Sequence, residues 1–157
     1  MRRGLGLGAV GLILLAALAA WRTAGTPAGT AEGERADTAA LAARGEAVYA
    51  AHCAACHGPD GAGQANWRVR KPNGKLPAPP LNGTGHTWHH PDPQLRAMIT
   101  DGVAAMVPGP YATDMRGFGD RLSDADIDAV LAHIKTWWSP EHRARQAEIT
   151  ARSGDAG

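Results

Sequence analysis

The chain has 157 residues, with 16 Lys and Arg against 15 Asp and Glu and a formal charge of +1. So even a balance leaves no basic footprint for nucleic acid, and no phosphate-cradling Gly-rich motif is present. Two cysteines and only eight aromatic side chains exclude a disulfide framework and leave a thin core for a folded part of about 100 residues.

Arg2 and Arg3 precede a run from Leu5 to Ala20 made only of Gly, Leu, Ala, Val and Ile. Such a run reads as a secretory signal or an N-terminal anchor, and either one exports the remainder of the chain. It falls slightly short of a bilayer span of about 20 residues. Ala17-Leu18-Ala19 offers a cleavage site, whereas Trp21-Arg22 suits the interfacial end of a membrane helix. Residues 1–21 are therefore a signal peptide or membrane anchor, the uncleaved anchor being preferred. The arginines would stay inside and the rest lie on the periplasmic side. Residues 22–36, rich in Gly, Ala, Thr, Pro and Glu without hydrophobic periodicity, read as a flexible linker.

A domain is expected over residues 37–140. Its first helix should start at Asp37 or Thr38, use Leu41, Val48 and Tyr49 as apolar anchors, and run into the next motif. That motif, Cys53-Ala54-Ala55-Cys56-His57, is the C-x-x-C-H attachment site of a c-type haem. Two thiols at this spacing can each form a thioether to one haem vinyl, and the adjacent His57 then lies under the iron as proximal ligand. A thioredoxin-like pair would want a strand before it and a helix after it, and a zinc site would need more ligands nearby. Here a helix precedes and a Gly-Pro-Asp-Gly turn comes next. One covalently attached haem c is the expected cofactor.

Downstream, Arg68, Arg70, Lys71 and Lys75 form a basic loop without acids, and Asp120, Asp124, Asp126 and Asp128 crowd a later segment. Either could steer a redox partner at low salt; solvated loops and helix-cap carboxylates are the plain alternative. Pro77, Pro79 and Pro80 stiffen the chain between them. His86, His89 and His90 could bind copper or zinc, or belong to a polar loop in which one His or Trp88 packs beside the haem. A helix is expected from Asp92 or Pro93 to about Asp101, on Leu95, Met98 and Ile99, with Gly102 after its end.

The second iron ligand should be a methionine. Met1 is the initiator and Met98 belongs to a helix, which leaves Met115 and Met106. Met115 is preferred because it opens a short Gly-containing loop flanked by Phe118, just before a well-marked helix. Filling a gap in an apolar core is the other common use of such a side chain. That last helix carries a cap and acidic first turn in Ser123-Asp124-Ala125-Asp126, then Ile127, Val130, Leu131, Ile134 and Trp138 at helical spacing. Ser139-Pro140 ends it, and residues 141–157 form a charged, helix-compatible extension. No stretch sustains strand alternation, so the fold is all-α.

The chain resembles the class I c-type cytochromes, in particular small bacterial single-haem members. The resemblance rests on Ala43 to Tyr49 leading into Cys53 to Gly58, then Ala78 to Gly83, Met115 to Phe118, and Leu122 to Asp124 with Ile127, Val130, Ile134 and Trp138. Many members have Pro after the ligand Met; Arg116 here leaves the thioether in place but bears on loop rigidity and local charge. The resemblance implies a cytochrome c-like fold around one haem, with the first helix packed across the last at Gly45. It implies that the Pro79 carbonyl accepts a hydrogen bond from His57 Nδ1 and that Leu81 packs on the haem.

With His57 below and Met115 above, the iron has no open position, and a thioether favours the ferrous state. That coordination suits a single-electron carrier rather than an enzyme, exchanging electrons with redox proteins outside the cytoplasm. The membrane would be a further partner if residues 1–21 stay uncleaved. The alternatives are a haem subunit or domain of a larger oxidoreductase, or a peroxidase or gas-binding protein with an open iron. The thin core also predicts that the chain without haem is largely unfolded.

Overall fold

The computed structural model describes residues 28–154. The apolar run of residues 5–20 and the expected anchor or signal at 1–21 lie outside the described residues. Among the described residues there are five α-helices, in order α1 (Ala28–His52), α2 (Ala54–His57), α3 (Asp92–Thr100), α4 (Asp124–Thr136) and α5 (Pro140–Gly154). Short 3-10 turns occupy Thr87–His89 and Val103–Met106. Among the described residues there is no strand, only an isolated antiparallel bridge between Gly102 and Arg116.

Helix α1 opens at Ala28, upstream of the expected cap at Asp37 or Thr38, so the described end of the stretch read as flexible linker is helical. Ala, Glu and Arg dominate there, and their helix propensity outweighs the cost of two glycines, Gly29 and Gly33. A compact unit begins at Thr38. Within it, Leu41 does not serve as an anchor: it is 38% exposed, at the rim of a shallow groove beside Arg96 and Leu131. Burial starts one turn later, at the crossing of α1 with α4. A side chain at Gly45 would put its first carbon 1.9 Å from the Ala129 carbonyl oxygen and 2.8 Å from His133 Cβ, so only a bare backbone allows this approach. Tyr49, one turn on, is 2% exposed and meets the Trp137 ring edge-on at 5.0 Å.

Helix α4 is the centre of the core. Ser123 caps it, its Oγ accepting from the Asp126 backbone N–H at 3.2 Å while Asp126 Oδ2 accepts from the Ser123 backbone N–H at 3.1 Å. This reciprocal box satisfies two otherwise orphaned donors. Ile127, Val130, Leu131 and Ile134 then bury one face against Tyr49, Leu95, Leu122 and Trp138. Helix α3 has the expected bounds, with Leu95 buried and Met98 and Ile99 half-buried against the same cluster.

The extension after Pro140 is docked rather than trailing. Gln146 of α5 is 2% exposed, and its amide donates to the His90 carbonyl at 3.2 Å and to Asp92 Oδ1 at 2.7 Å. Asp92 in turn pairs with Lys135 at 2.6 Å, and its backbone N–H donates to Thr150 Oγ1. One buried amide thus ties α5 to the start of α3.

Candidate haem site

The attachment motif sits where α1 ends. His52 closes α1, Cys53 comes next in a helical conformation, and α2 adds a single turn carrying both remaining motif positions. The turn keeps Cys53 and Cys56 on neighbouring positions with free thiols, Cys53 half-buried and Cys56 exposed. In this fold burial, then the neighbouring Cys56, pushes an unattached Cys53 thiol up to about 11. The Tyr49 hydroxyl donates to the Gly58 carbonyl at 2.7 Å and pins the exit from this turn to α1.

His57 is 8% exposed, and its Nδ1 lies 2.9 Å from the Pro79 carbonyl oxygen. With Nδ1–H donating there, the lone pair is left on Nε2, the nitrogen an axial ligand needs. Burial lowers the imidazole's proton affinity, partly opposed by the Pro79 bond, which favours the neutral form required for ligation. The contact is built by two loop segments lying side by side. Gly63 N–H donates to the His57 carbonyl at 2.7 Å, Gln64 N–H to Ala78 at 2.9 Å, and Leu81 N–H to Gly61 at 2.7 Å. Gly63 has φ +73 and would place a side chain 2.6 Å from Pro80 N, so this pairing depends on the missing Cβ. Leu81 is half-buried against the core, its carbonyl accepting from Trp138 Nε1 at 2.7 Å.

Met115 lies on the loop between the Val103–Met106 turn and α4, at intermediate burial. Its backbone N–H donates to Thr113 Oγ1 at 3.0 Å and its carbonyl accepts from Val103 N–H at 3.3 Å. Phe118 and Gly119 hang the next residues from the Ile99 and Thr100 carbonyls at the end of α3. Met106 is 37% exposed, and Met98 packs on the core from α3.

These residues fit a covalently held haem in their donor set and in their surface. Two free thiols and a buried imidazole with Nε2 available are the attachment chemistry. Cys53, Leu81, Met98, Ile99 and Phe118 are apolar and only half-buried against the core. The Trp88 indole N–H is buried with no partner among the described residues, the sort of orphan donor that a haem carboxylate satisfies. Trp88 itself lies between His89 at 3.6 Å and His142 of α5 at 4.0 Å, both stacked on it.

Of the histidine cluster, two members meet: the His86 and His90 rings lie edge-on 5.4 Å apart. His86 also stacks on Trp67 at 5.6 Å, His90 Nδ1 meets Gln94 Oε1 at 3.2 Å, and His89 covers Trp88. Among the described residues no group of three His, Cys, Asp or Glu is placed to hold a metal ion, so the copper or zinc reading gains no support.

Several contacts that make the site were not visible in the sequence. Trp138 was legible as a core residue at helical spacing, but nothing marked its indole as a donor to Leu81. Gln146 sits in a charged tail with no pattern to single it out.

Comparison with known proteins agrees with this geometry. The family model described as cytochrome c matches residues 42–138. The dihydro-heme d1 dehydrogenase of Pseudomonas aeruginosa is 33% identical over 113 residues, covering 68% of this chain and 19% of that protein. The Cbb3-type cytochrome c oxidase subunit FixP of Azorhizobium caulinodans is 29% identical over 94 residues, 60% of this chain and 28% of that protein. The chain thus spans less than a third of the length of either relative. No solved structure matches.

Proposed function

Because the chain belongs to the cytochrome c family, we propose that it is a single-electron carrier working outside the cytoplasm, with its haem iron held between His57 and Met115. Family membership carries one covalently bound haem c, joined through Cys53 and Cys56. That group supplies an iron centre able to gain or lose one electron.

The chain's own residues do the rest. In the folded protein the Pro79 bond would set the tautomer and orientation of His57, so little would have to move when the charge at the site changes. Leu81 and Phe118, half-buried against the core, would pack on the haem and exclude water from it. Met115 would supply the second ligand, leaving peroxide or a gas no open position; Met106, more exposed, is the weaker candidate. By itself the chain is not an enzyme. Residues 1–21 take the domain to the periplasmic side of the membrane, by anchor or by cleaved signal.

The buried His57 to Pro79 bond is the observation that carries this reading, because it fixes an axial ligand in place before any electron arrives. A potentiometric titration of the haem-loaded chain should give one reversible one-electron wave, with no peroxide consumed in either oxidation state. Peroxide turnover at a rate comparable with dedicated haem enzymes would overturn it.

A second reading is favoured by length. The two relatives are a named dehydrogenase and a named oxidase subunit, each several times longer than the matched region. On that reading the chain is the electron-entry component of a larger oxidoreductase. Migration of its haem with a large complex on a native gel of solubilised membranes would select it.

A further inference from the structure

We propose that the loop over residues 66–75 is a docking surface for an acidic redox protein, with Val69 as its apolar centre. The proposal rests on the electron-carrier reading and names the chemistry of the partner.

The loop is built rather than loose. Gly74 N–H donates to the Lys71 carbonyl and Lys71 N–H to the Lys75 carbonyl, both at 2.9 Å, closing a turn with Pro72 and Asn73 in its middle. Proline at the second position presets φ, and the Asn73 side chain adds a bond from Lys75 N–H at 3.1 Å. Arg70 braces the same turn by donating to the Gly74 carbonyl at 2.6 Å. The Arg68 guanidinium lies 4.1 Å over the Trp67 ring, and Trp67 is stacked on His86. A surface ordered beforehand loses less entropy on binding.

The loop also sits beside the segment that carries Met115. Lys75 pairs with Asp114, and Arg70 lies 5.5 Å from the centre of the Tyr111 ring. A protein resting here is within a few residues of the proposed second iron ligand.

Charge decides between the two regions that stand out in the sequence. Every carboxylate named at the acidic start of α4 has a guanidinium partner within the fold, three arginines offsetting four aspartates: Asp126 pairs with Arg44, Asp124 and Asp128 share Arg96, and Asp120 pairs with Arg121. In the basic loop, Lys75 alone forms a direct ion pair among the described residues. Arg68 and Arg70, with Arg116 next to Met115, have no carboxylate partner among the described residues, Arg70 bonding a carbonyl, while Lys71 bonds the Gln64 amide and shares the single carboxylate of Asp114 with Lys75. The chain's formal charge is +1. An attractive field for anions is therefore local to this loop. Between Arg68 and Arg70 in the chain, Val69 is 63% exposed, an apolar side chain flanked by two cations. Carboxylates around a small apolar patch complement that surface. In the transfer it serves, one electron leaves the reduced protein and enters the oxidised iron; no bond forms or breaks and no proton moves.

The test uses the haem-loaded full chain, labelled with nitrogen-15, and the paramagnetic anion hexacyanochromate(III) at low ionic strength. Line broadening should concentrate on the amides of residues 66–75 and Arg116. A variant combining Arg68→Gln, Arg70→Gln and Lys71→Gln should weaken binding of the anion by about tenfold with an unchanged visible spectrum. Lys71→Glu alone, which leaves the Arg70 brace in place, should shift it in the same direction. Broadening centred on another face, or insensitive to both variants, overturns the proposal. So does flotation with vesicles of phosphatidylglycerol and phosphatidylcholine that is lost in the triple variant, which would make this a lipid-binding loop. Because the anion reads surface charge and not iron ligation, failure here leaves the His57/Met115 assignment standing.

Discussion

The two sides of the haem site are held in different ways. On the His57 side the proposed ligand is buried and its ring is bonded, and the loops around it exchange five backbone or ring hydrogen bonds, His57 to Pro79, Gly63 to His57, Gln64 to Ala78, and both Leu81 and Asn82 to Gly61. On the Met115 side the chain is tied through an isolated bridge that includes the 3.3 Å bond from Val103, two bonds to the end of α3 and the Lys75–Asp114 pair. The first side is held by the chain's own bonds. On the proposed ligation, the second would owe more of its order to the bond made by the Met115 sulfur.

The largest expected effect comes from removing attachment altogether. Cys53→Ala with Cys56→Ala should abolish covalent haem, and the eight buried apolar residues of the core should not hold the fold alone. Circular dichroism should show most native helicity and the cooperative melt lost; a full native spectrum with a sharp transition would show that the helices do not need the haem.

Backbone crowding probes the better-held side. Gly63→Ala forces a side chain against Pro80 at a left-handed φ, and Gly45→Ala drives one into the Ala129 carbonyl. Overpacking of this kind costs about 1–3 kcal/mol. Chemical denaturation of the holoprotein should register both losses, but only Gly63→Ala should also disturb the His57 ring resonances, because only it moves Pro79.

On the looser side, Asp114→Asn removes the tether to Lys75 without touching the core. Stability should hardly change, since exposed pairs are worth roughly 0–1 kcal/mol. Slow carbon monoxide binding to the ferrous protein should nonetheless become faster as Met115 detaches more often. Equal rates in the two proteins would mean that the Met115 side is held as firmly as the His57 side.

The smallest effect lies away from both sides, at the α4 cap. Ser123→Ala should cost about 1 kcal/mol. The Asp126 carboxyl is held below its ordinary value by the Ser123 hydroxyl, then by the Ser123 backbone N–H and by Arg44. Its contribution is therefore present above the unfolded carboxylate value and disappears as pH falls through the lower folded value. Ser123→Ala should flatten that acid limb of the stability profile while leaving the haem spectrum unchanged.

Legibility in the sequence divides along the same line. Cys53, Cys56 and His57 are legible because covalent attachment demands that spacing, and α3 and α4 because their apolar periodicity and caps agree. The Gly45 crossing is implied by family packing and is present in the fold. Leu41 and the start of α1 misled because local propensity, not burial, decides where that helix begins. The docking of α5 through Gln146 depends on a single tertiary contact, which leaves no periodic trace. The basic loop was visible as charge, but that it meets only the carboxylate of Asp114, while Asp120, Asp124, Asp126 and Asp128 are paired elsewhere, depends on tertiary contacts.

The central claim, an iron closed by His57 and Met115, is most directly tested by the optical spectrum of ferric and ferrous protein with and without carbon monoxide, for the native chain beside Met115→Ala and Met106→Ala. The account predicts a low-spin native protein with a near-infrared sulfur-to-iron band, slow to react with carbon monoxide; Met106→Ala should behave like it, and Met115→Ala should lose the band and bind the gas at once. A native protein that binds carbon monoxide immediately, or a band lost only in Met106→Ala, would contradict it.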